Sequence, residues 1–285
     1  MDTWRLLKTP PAHGAWNMAV DEAILEAVGG GESLPTLRLY AWDPACLSLG
    51  YAQPFTDVDI PRLQKRGWEV VRRPTGGRAV LHTDELTYSV IAPLDEARVA
   101  GTVLESYHRL AQALVEALNL LTCTSISNAG SMQVEVHENS PISRSSGTNP
   151  VCFEVPSTYE ITVGGRKLVG SAQARRKSGV LQHGSLPLSG DLTRILQVLA
   201  FSDEEARSLA AERLIMRATT VENALDRKVS WDEAARAIAK AFGDVLALVL
   251  HPGDLTPDEK SRAEELVQIK YGHPSWTEKK LSTGI

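Results

Sequence analysis

The chain has 285 residues, 30 Lys and Arg against 35 Asp and Glu, a formal net charge of −5 and 43% hydrophobic residues. That is enough chain for one large domain, or a domain with a small appendage, around a sizeable core, and the charge gives no general attraction to nucleic acid or to an anionic membrane. No apolar run is long enough to cross a bilayer and no basic start followed by an apolar run reads as a signal peptide, so the expected location is the cytoplasm.

Alanine-rich Trp16 to Val28 reads as a helix, stopped by Gly29-Gly30-Gly31, a run no helix continues through. Thr36 to Tyr40, Cys46 to Leu49, Glu69 to Arg72, Ala79 to His82 and Leu86 to Ala92 read as strands separated by turn residues. Thr102-Val103-Leu104-Glu105 is a capping box opening a helix, whose apolar positions Leu104, Tyr107, Leu110, Ala111, Leu114 and Leu118 follow helical spacing. Asn128 to Asn149, with its glycines, serines and charges, reads as a mobile loop. Tyr159 to Val163, Lys167 to Ala172 and Val180 to Leu188 read as further strands. Beyond about Ser189 the strand signals fade. Ser202-Asp203-Glu204-Glu205, Ser230-Trp231-Asp232-Glu233 and Thr256-Pro257-Asp258-Glu259 each read as a helix start. The order of elements predicts an α/β (α+β) fold of mixed β-sheets flanked by helices. Its main domain spans 1–249, and a helical C-terminal tail over 250–285 packs on it.

One stretch stands apart: Arg72-Arg73-Pro74-Thr75-Gly76-Gly77-Arg78-Ala79-Val80-Leu81-His82. Val70 and Val71 lead in, Ala79 to Leu81 lead out, and the turn between has no bulky side chain at Gly76 or Gly77. Paired glycines let a ligand approach backbone N–H groups closely, although a Gly-Gly between strands can equally be a plain tight turn. Arg72, Arg73, Arg78 and His82 are more than a plain hairpin requires. Guanidinium forks suit carboxylate and phosphate groups, with a packing salt bridge as the plainer role for Arg72 or Arg73. The three cysteines show no CxxC spacing, which indicates neither a disulfide framework nor a zinc site. Cys46 and Cys123 look like buried small hydrophobes. Cys152 follows the polar run Ser143 to Pro150, at a loop edge where a thiol can meet a substrate. No HExxH, paired-acid or His/Cys ligand spacing is present, so no metal and no cofactor is expected at a reaction centre.

The glycine stretch resembles the ligand loop of the lipoate and biotin protein ligase superfamily: an arginine pair, a Thr or Ser, two or three glycines, an apolar pair and a histidine. Asn17-Met18-Ala19-Val20-Asp21-Glu22 resembles the superfamily's first helix, Gly165-Arg166-Lys167-Leu168-Val169-Gly170-Ser171-Ala172-Gln173 its lysine strand, and Leu181-Gln182-His183-Gly184-Ser185-Leu186 a further strand, all in the family's order. The resemblance spans roughly the first two thirds of the chain and implies a ligase-like catalytic domain. It departs from the adenylate-forming ligases, which usually carry a third glycine and an aspartate after the histidine; Arg78 and Thr83 stand there instead.

Acyl transfer from a thioester needs a nucleophile, a proton carrier and oriented N–H groups. Val151-Cys152-Phe153-Glu154-Val155-Pro156, placed ahead of Lys167, resembles the Gram-positive-type octanoyltransferase branch. That resemblance implies Cys152 as nucleophile and Lys167 as its partner, either base or fixed positive charge. It implies octanoyl-acyl carrier protein as donor and a lipoyl-domain protein, such as the glycine cleavage H protein, as acceptor. Arg72, Arg73, Thr75, Gly76, Gly77, Arg78, His82, Gly170, Ser171, Ala172 and His183 are then the expected substrate-binding residues. His82 either orients the ligand or shuttles a proton, or else is a structural histidine at a strand end; His183 shapes the pocket floor or is simply structural. Leu37, Leu39, Val71, Val80 and Ala172 are candidates for lining an apolar tunnel. A monomer is expected, with no nucleic-acid or membrane partner. An ATP-dependent lipoate ligase and an amidotransferase between lipoyl domains stay open as alternatives.

Overall fold

The computed structural model describes residues 2–123, 134–138 and 159–279. The first half runs β1 (Asp2–Lys8), α1 (Gly14–Gly29), β2 (Thr36–Tyr40), β3 (Cys46–Leu49), α2 (Ile60–Lys65), β4 (Glu69–Arg72), β5 (Val80–His82), β6 (Glu85–Ala92) and α3 (Val103–Cys123). There follow β7 (Val134–Glu138), β8 (Tyr159–Val163), β9 (Arg166–Arg176), β10 (Gly179–Pro187), α4 (Glu204–Arg217), α5 (Val221–Leu225), α6 (Trp231–Leu246), β11 (Leu248–Gly253), α7 (Pro257–Leu266) and α8 (Pro274–Thr277).

Among the described residues, eight strands form a mixed sheet in the order β11-β1-β2-β6-β10-β9-β8-β7, and three form a small sheet in the order β4-β3-β5. β1 runs parallel to β11 and β2, whereas β2, β6, β10, β9, β8 and β7 pair antiparallel in turn. Both faces of the large sheet are covered, so its central strands β6 and β10 are buried along their whole length. On one face α3 and α6 pack Leu110, Leu114, Ile238 and Phe242 against Leu37, Leu39 and Tyr88. On the other, α1 and α7 pack Met18, Ile24 and Leu266 against Leu7, Ile91 and Leu181. Each fully buried side chain of this size is worth about 1.5–3 kcal/mol. The small sheet closes a third core with Ile195, Leu196 and Leu214. Among the described residues no helix is long and apolar enough to cross a membrane.

The helix starts follow local chemistry. The Thr102 hydroxyl accepts from the Glu105 N–H at 3.2 Å while the Glu105 carboxylate accepts from the Thr102 N–H at 2.7 Å. Thr256 and Glu259 close the same reciprocal box on α7, and Ser230 caps α6. α4 is capped by Asp203 rather than opened from Ser202. In α3 the buried face is turned slightly from the apolar stripe: Leu104 is exposed and Ser106 is buried in its place, bonded to Gln173 and Arg175 of β9. Three strands go beyond the sequence reading. β1 buries Trp4 and Leu7, three apart rather than alternating. β7 lies within the stretch read as a loop, and β11 within the region read as helical only.

Candidate active site

Where the small sheet meets the large one, a largely apolar slot of about 560 Å³, counting its solvent-filled mouth, opens between β3 and β5 on one side and β6, β9 and β10 on the other. Met18 of α1, Tyr40, Trp42 and Val80 supply apolar wall; Ser48, His82, Thr87, His183 and Ser185 supply polar groups; Gly77 and Gly170 to Ala172 supply backbone.

The turn from Pro74 to Arg78 is held from within. The Arg73 guanidinium donates to the carbonyls of Gly76 at 2.9 Å and Arg78 at 2.6 Å, and to both the carbonyl and the hydroxyl of Ser48 at 2.9 and 3.1 Å. Gly77 has φ +91°, and a Cβ on Gly50 would lie 1.9 Å from the Gly77 carbonyl oxygen. Only glycines let these two segments pass so closely.

Two imidazoles border the slot, each fixed by a carboxylate behind it and a hydroxyl in front. His82 Nδ1 lies 2.6 Å from Glu85 Oε1 and its Nε2 lies 2.8 Å from Ser48 Oγ. Trp42 stacks on the ring, 3.9 Å between centroids and 12° from parallel, and donates its indole N–H to Thr87 Oγ1 at 2.8 Å. Glu85 also accepts from the hydroxyls of Ser185 and Thr87. Burial pushes the Glu85 carboxyl up, but the His82 charge and the bonds from His82, Ser185 and Thr87 outweigh it and hold the group below its ordinary range.

His183 is the counterpart on β10. Its Nε2 is 2.7 Å from Thr75 Oγ1 and its Nδ1 is 3.6 Å from Asp21 Oδ2. Asp21 is fully buried and paired with Arg38 at 2.7 Å, with further bonds from Tyr40 at 3.0 Å and Ser89 at 2.7 Å. Burial, opposed by Asp21, lowers the His183 pKa. With the ring neutral and its proton on Nδ1, towards Asp21, Nε2 is the acceptor for the Thr75 hydroxyl. The glycine turn is thereby tied to a buried ion pair inside α1 and β2.

Of the residues singled out from sequence, Arg73, Gly77, His82, Gly170, Ser171, Ala172 and His183 line the slot. Thr75 touches it through His183, Gly76 is exposed in the turn, and Arg78 bonds to Arg73 through its backbone carbonyl. Arg72 does not line it. Its buried guanidinium donates to the carbonyls of Gly50, Tyr51, Gln53, Trp276 and Thr277, while the Trp276 indole donates back to the Arg72 carbonyl at 2.8 Å. Of the tunnel candidates, Val80 and Ala172 line the slot, whereas Leu37, Leu39 and Val71 are packed into the cores against the helices and do not line it. Lys167 is buried on β9, three residues before Gly170, with its carbonyl accepting the Thr219 N–H at 2.9 Å. Cys152 lies outside the described residues. Glu85, Ser48, Trp42, Asp21 and Arg38 are functional candidates that sequence reasoning did not pick out. The only signal was position: Glu85 follows His82 by three residues, and Asp21 stands in the family-like first helix.

A largely apolar slot bordered by two immobilised imidazoles and a glycine turn defines an α/β enzyme domain for an apolar substrate. The model of the lipoyl protein ligase A/B catalytic domain matches residues 13–243. A Moorella thermoacetica protein named octanoyltransferase LipM is 41% identical over 280 residues, covering 98% of this chain and 99% of its own. One of the same name from Symbiobacterium thermophilum is 40% identical over 282 residues, covering 97% and 98%. The solved bi-partite lipoate protein ligase of Thermoplasma acidophilum aligns over 100% of both chains with a TM-score of 0.80 at 25% identity. The chain belongs to the lipoyl protein ligase A/B catalytic domain family.

Proposed function

We propose that this chain is a protein octanoyltransferase of lipoate biosynthesis, taking an octanoyl group from an acyl donor and delivering it to a lysine of a lipoyl domain. The observation that carries this reading is the pair of relatives named octanoyltransferase, about 40% identical along nearly the whole of both chains. In the finer version, octanoyl-acyl carrier protein is the donor, the glycine cleavage H protein is the acceptor, and the enzyme works as a cytoplasmic monomer.

The Cys152 sulfur attacks the donor carbonyl, the carrier thiol leaves with the proton, and an acyl-Cys152 thioester of similar energy results. The acceptor amine then displaces Cys152, and amide resonance drives this second step downhill. Lys167 supplies a base or a fixed charge near the thiol. The slot holds the chain and keeps water from the thioester, and Arg73 with the bound histidines holds the turn against it.

An ATP-dependent ligase is the second reading, favoured by the fold shared with the Thermoplasma ligase. Against it stands Thr83, where the ligases usually carry aspartate; its hydroxyl is taken up by Arg194 at 2.9 Å. Intact-mass measurement after incubation with octanoyl-acyl carrier protein, with and without ATP, separates the routes. A hydroxylamine-sensitive octanoyl adduct is expected on the wild type without ATP and not on Cys152→Ala. Transfer that requires ATP and persists in Cys152→Ser would establish the ligase instead.

A further inference from the structure

Beyond the slot, the same face of the β9–β10 hairpin runs into a second, larger cleft of about 1130 Å³ that is open to solvent. Along β9, Gly170 and Ala172 line the slot and Ala174 and Arg176 line the cleft; along β10, His183 lines the slot and Leu181 the cleft. Residues two apart on a strand share a face, so the two hollows are successive stretches of one surface. Pro74, at the start of the glycine turn, stands at the junction, with the Arg176 guanidinium 3.5 Å from its carbonyl.

The charge around this cleft runs against that of the chain. The formal net charge is −5, yet Arg176, Lys177 and Lys270 line the cleft with Lys279 beside it, against two carboxylates, Glu22 and Glu26, the latter paired with Arg262 at 2.6 Å. Lys270 is neutralised by Glu22 at 2.6 Å. Arg176 and Lys177 are exposed, and among the described residues neither they nor Lys279 has a carboxylate partner. Two aromatic rings lie under these cations, and Lys270 Nζ is 4.4 Å from the Trp276 centroid. Lys279 Nζ sits 3.2 Å from the Tyr51 ring centroid and 4.5 Å from that of Trp276, and the Arg176 guanidinium is 5.9 Å from Tyr51. Cations at the rim, aromatic rings beneath them, and an apolar slot farther along the same strand face match one kind of ligand: a fatty acyl chain on a flexible arm that carries a phosphodiester.

We propose that this cleft receives the phosphopantetheine arm of an acyl carrier protein, with the phosphodiester against Arg176 and Lys177, the arm over Tyr51 and Trp276, and the acyl chain entering the slot. This rests on the reading that the donor is a carrier thioester. It assigns donor recognition to residues that take no part in the chemistry. Arg176 and Lys177 act by encounter and positioning, so their loss raises KM for a charged donor and leaves a small uncharged donor unaffected.

The test is steady-state transfer to a lipoyl-domain acceptor from three donors: octanoyl-acyl carrier protein, octanoyl-coenzyme A and octanoyl-N-acetylcysteamine, which lacks phosphate and protein. In Arg176→Glu/Lys177→Glu, and more weakly in Lys177→Glu alone, which leaves the bond to Pro74 intact, KM for the carrier donor is expected to rise about tenfold. The N-acetylcysteamine donor changes less than twofold, and added salt weakens the carrier donor less in the variant than in the wild type. Equal loss with all donors, or no change with the carrier, overturns the proposal. So does a stronger effect on coenzyme A than on the carrier, which would give the cleft to the free cofactor. Wild type that transfers from none of the three would instead sink the octanoyltransferase reading itself.

Discussion

His183 is subject to two opposed forces: burial favours the neutral ring, the Asp21 carboxylate favours the charged one, and burial prevails. With the folded pKa below the ordinary 6.5, the native state binds fewer protons than the unfolded chain in the interval between the two values. Stability therefore rises with pH there, and falls as acid is added below that ordinary value. Glu85 and Asp21 have lowered pKa values as well, but their contribution is present above the ordinary carboxylate range and is lost only as pH falls through the lowered values. Between the ordinary imidazole and carboxylate ranges, roughly pH 7 to 5, the His183 shift therefore adds a slope separate from theirs. Urea unfolding across that range is expected to show a declining free energy whose slope flattens in His183→Gln. An unchanged slope in the variant would refute the assignment. The histidines themselves were legible, because a titratable ring beside a glycine turn invites attention. Their carboxylate anchors were not. Asp21 reaches His183 from a helix far away in sequence, and Glu85 was hidden at the edge of a strand read as beginning at Leu86.

At the scale of elements, Arg72 joins three segments that would otherwise meet only through backbone: the end of β4, the chain from Gly50 to Gln53, and the tail at Trp276 and Thr277. A lysine keeps the charge but lacks the planar fork, so Arg72→Lys leaves some of those buried carbonyls unsatisfied at about 1–3 kcal/mol each. Amide hydrogen exchange over 257–279 is expected to accelerate in this variant. If instead Arg72 binds substrate, KM rises while exchange in the tail stays as in the wild type. Strands with strong β-branched or apolar runs and clear turns, such as Thr36–Tyr40 and Glu69–Arg72, were read at their observed bounds. β9 outran its predicted end at Ala172 because Gln173 and Arg175, polar in sequence, are satisfied by Ser106 of α3. β11 was missed because Pro252-Gly253 reads as a turn, while its parallel pairing with β1 depends on a partner at the other end of the chain.

For the whole molecule, that pairing makes the tail part of the large sheet. Arg5 of β1 forms a two-pronged bond to Glu259 of α7, at 2.6 and 2.8 Å, and α7 packs on α1, the helix that carries Asp21. We expect a chain ending at Ala247 to lose cooperative unfolding and to aggregate, as judged by circular dichroism and size-exclusion chromatography, because it uncovers both the β1 edge and the outer face of α1. A monodisperse, folded product would show that the tail is dispensable. The fold class was readable from the alternation of helical and strand periods. The outer cleft was not, since its walls come from positions as separate as Glu22, Tyr51, Arg176 and Trp276. The hairpin that floors both hollows has one more implication. From Gly170 to Arg176 an extended strand advances about 20 Å, well past the roughly 7–10 Å within which substitutions usually influence one another. Alterations that retune the greasy end and alterations that retune the charged end should combine additively, so discrimination between fatty chains and discrimination between their carriers can drift, or be engineered, independently on a single rail of backbone.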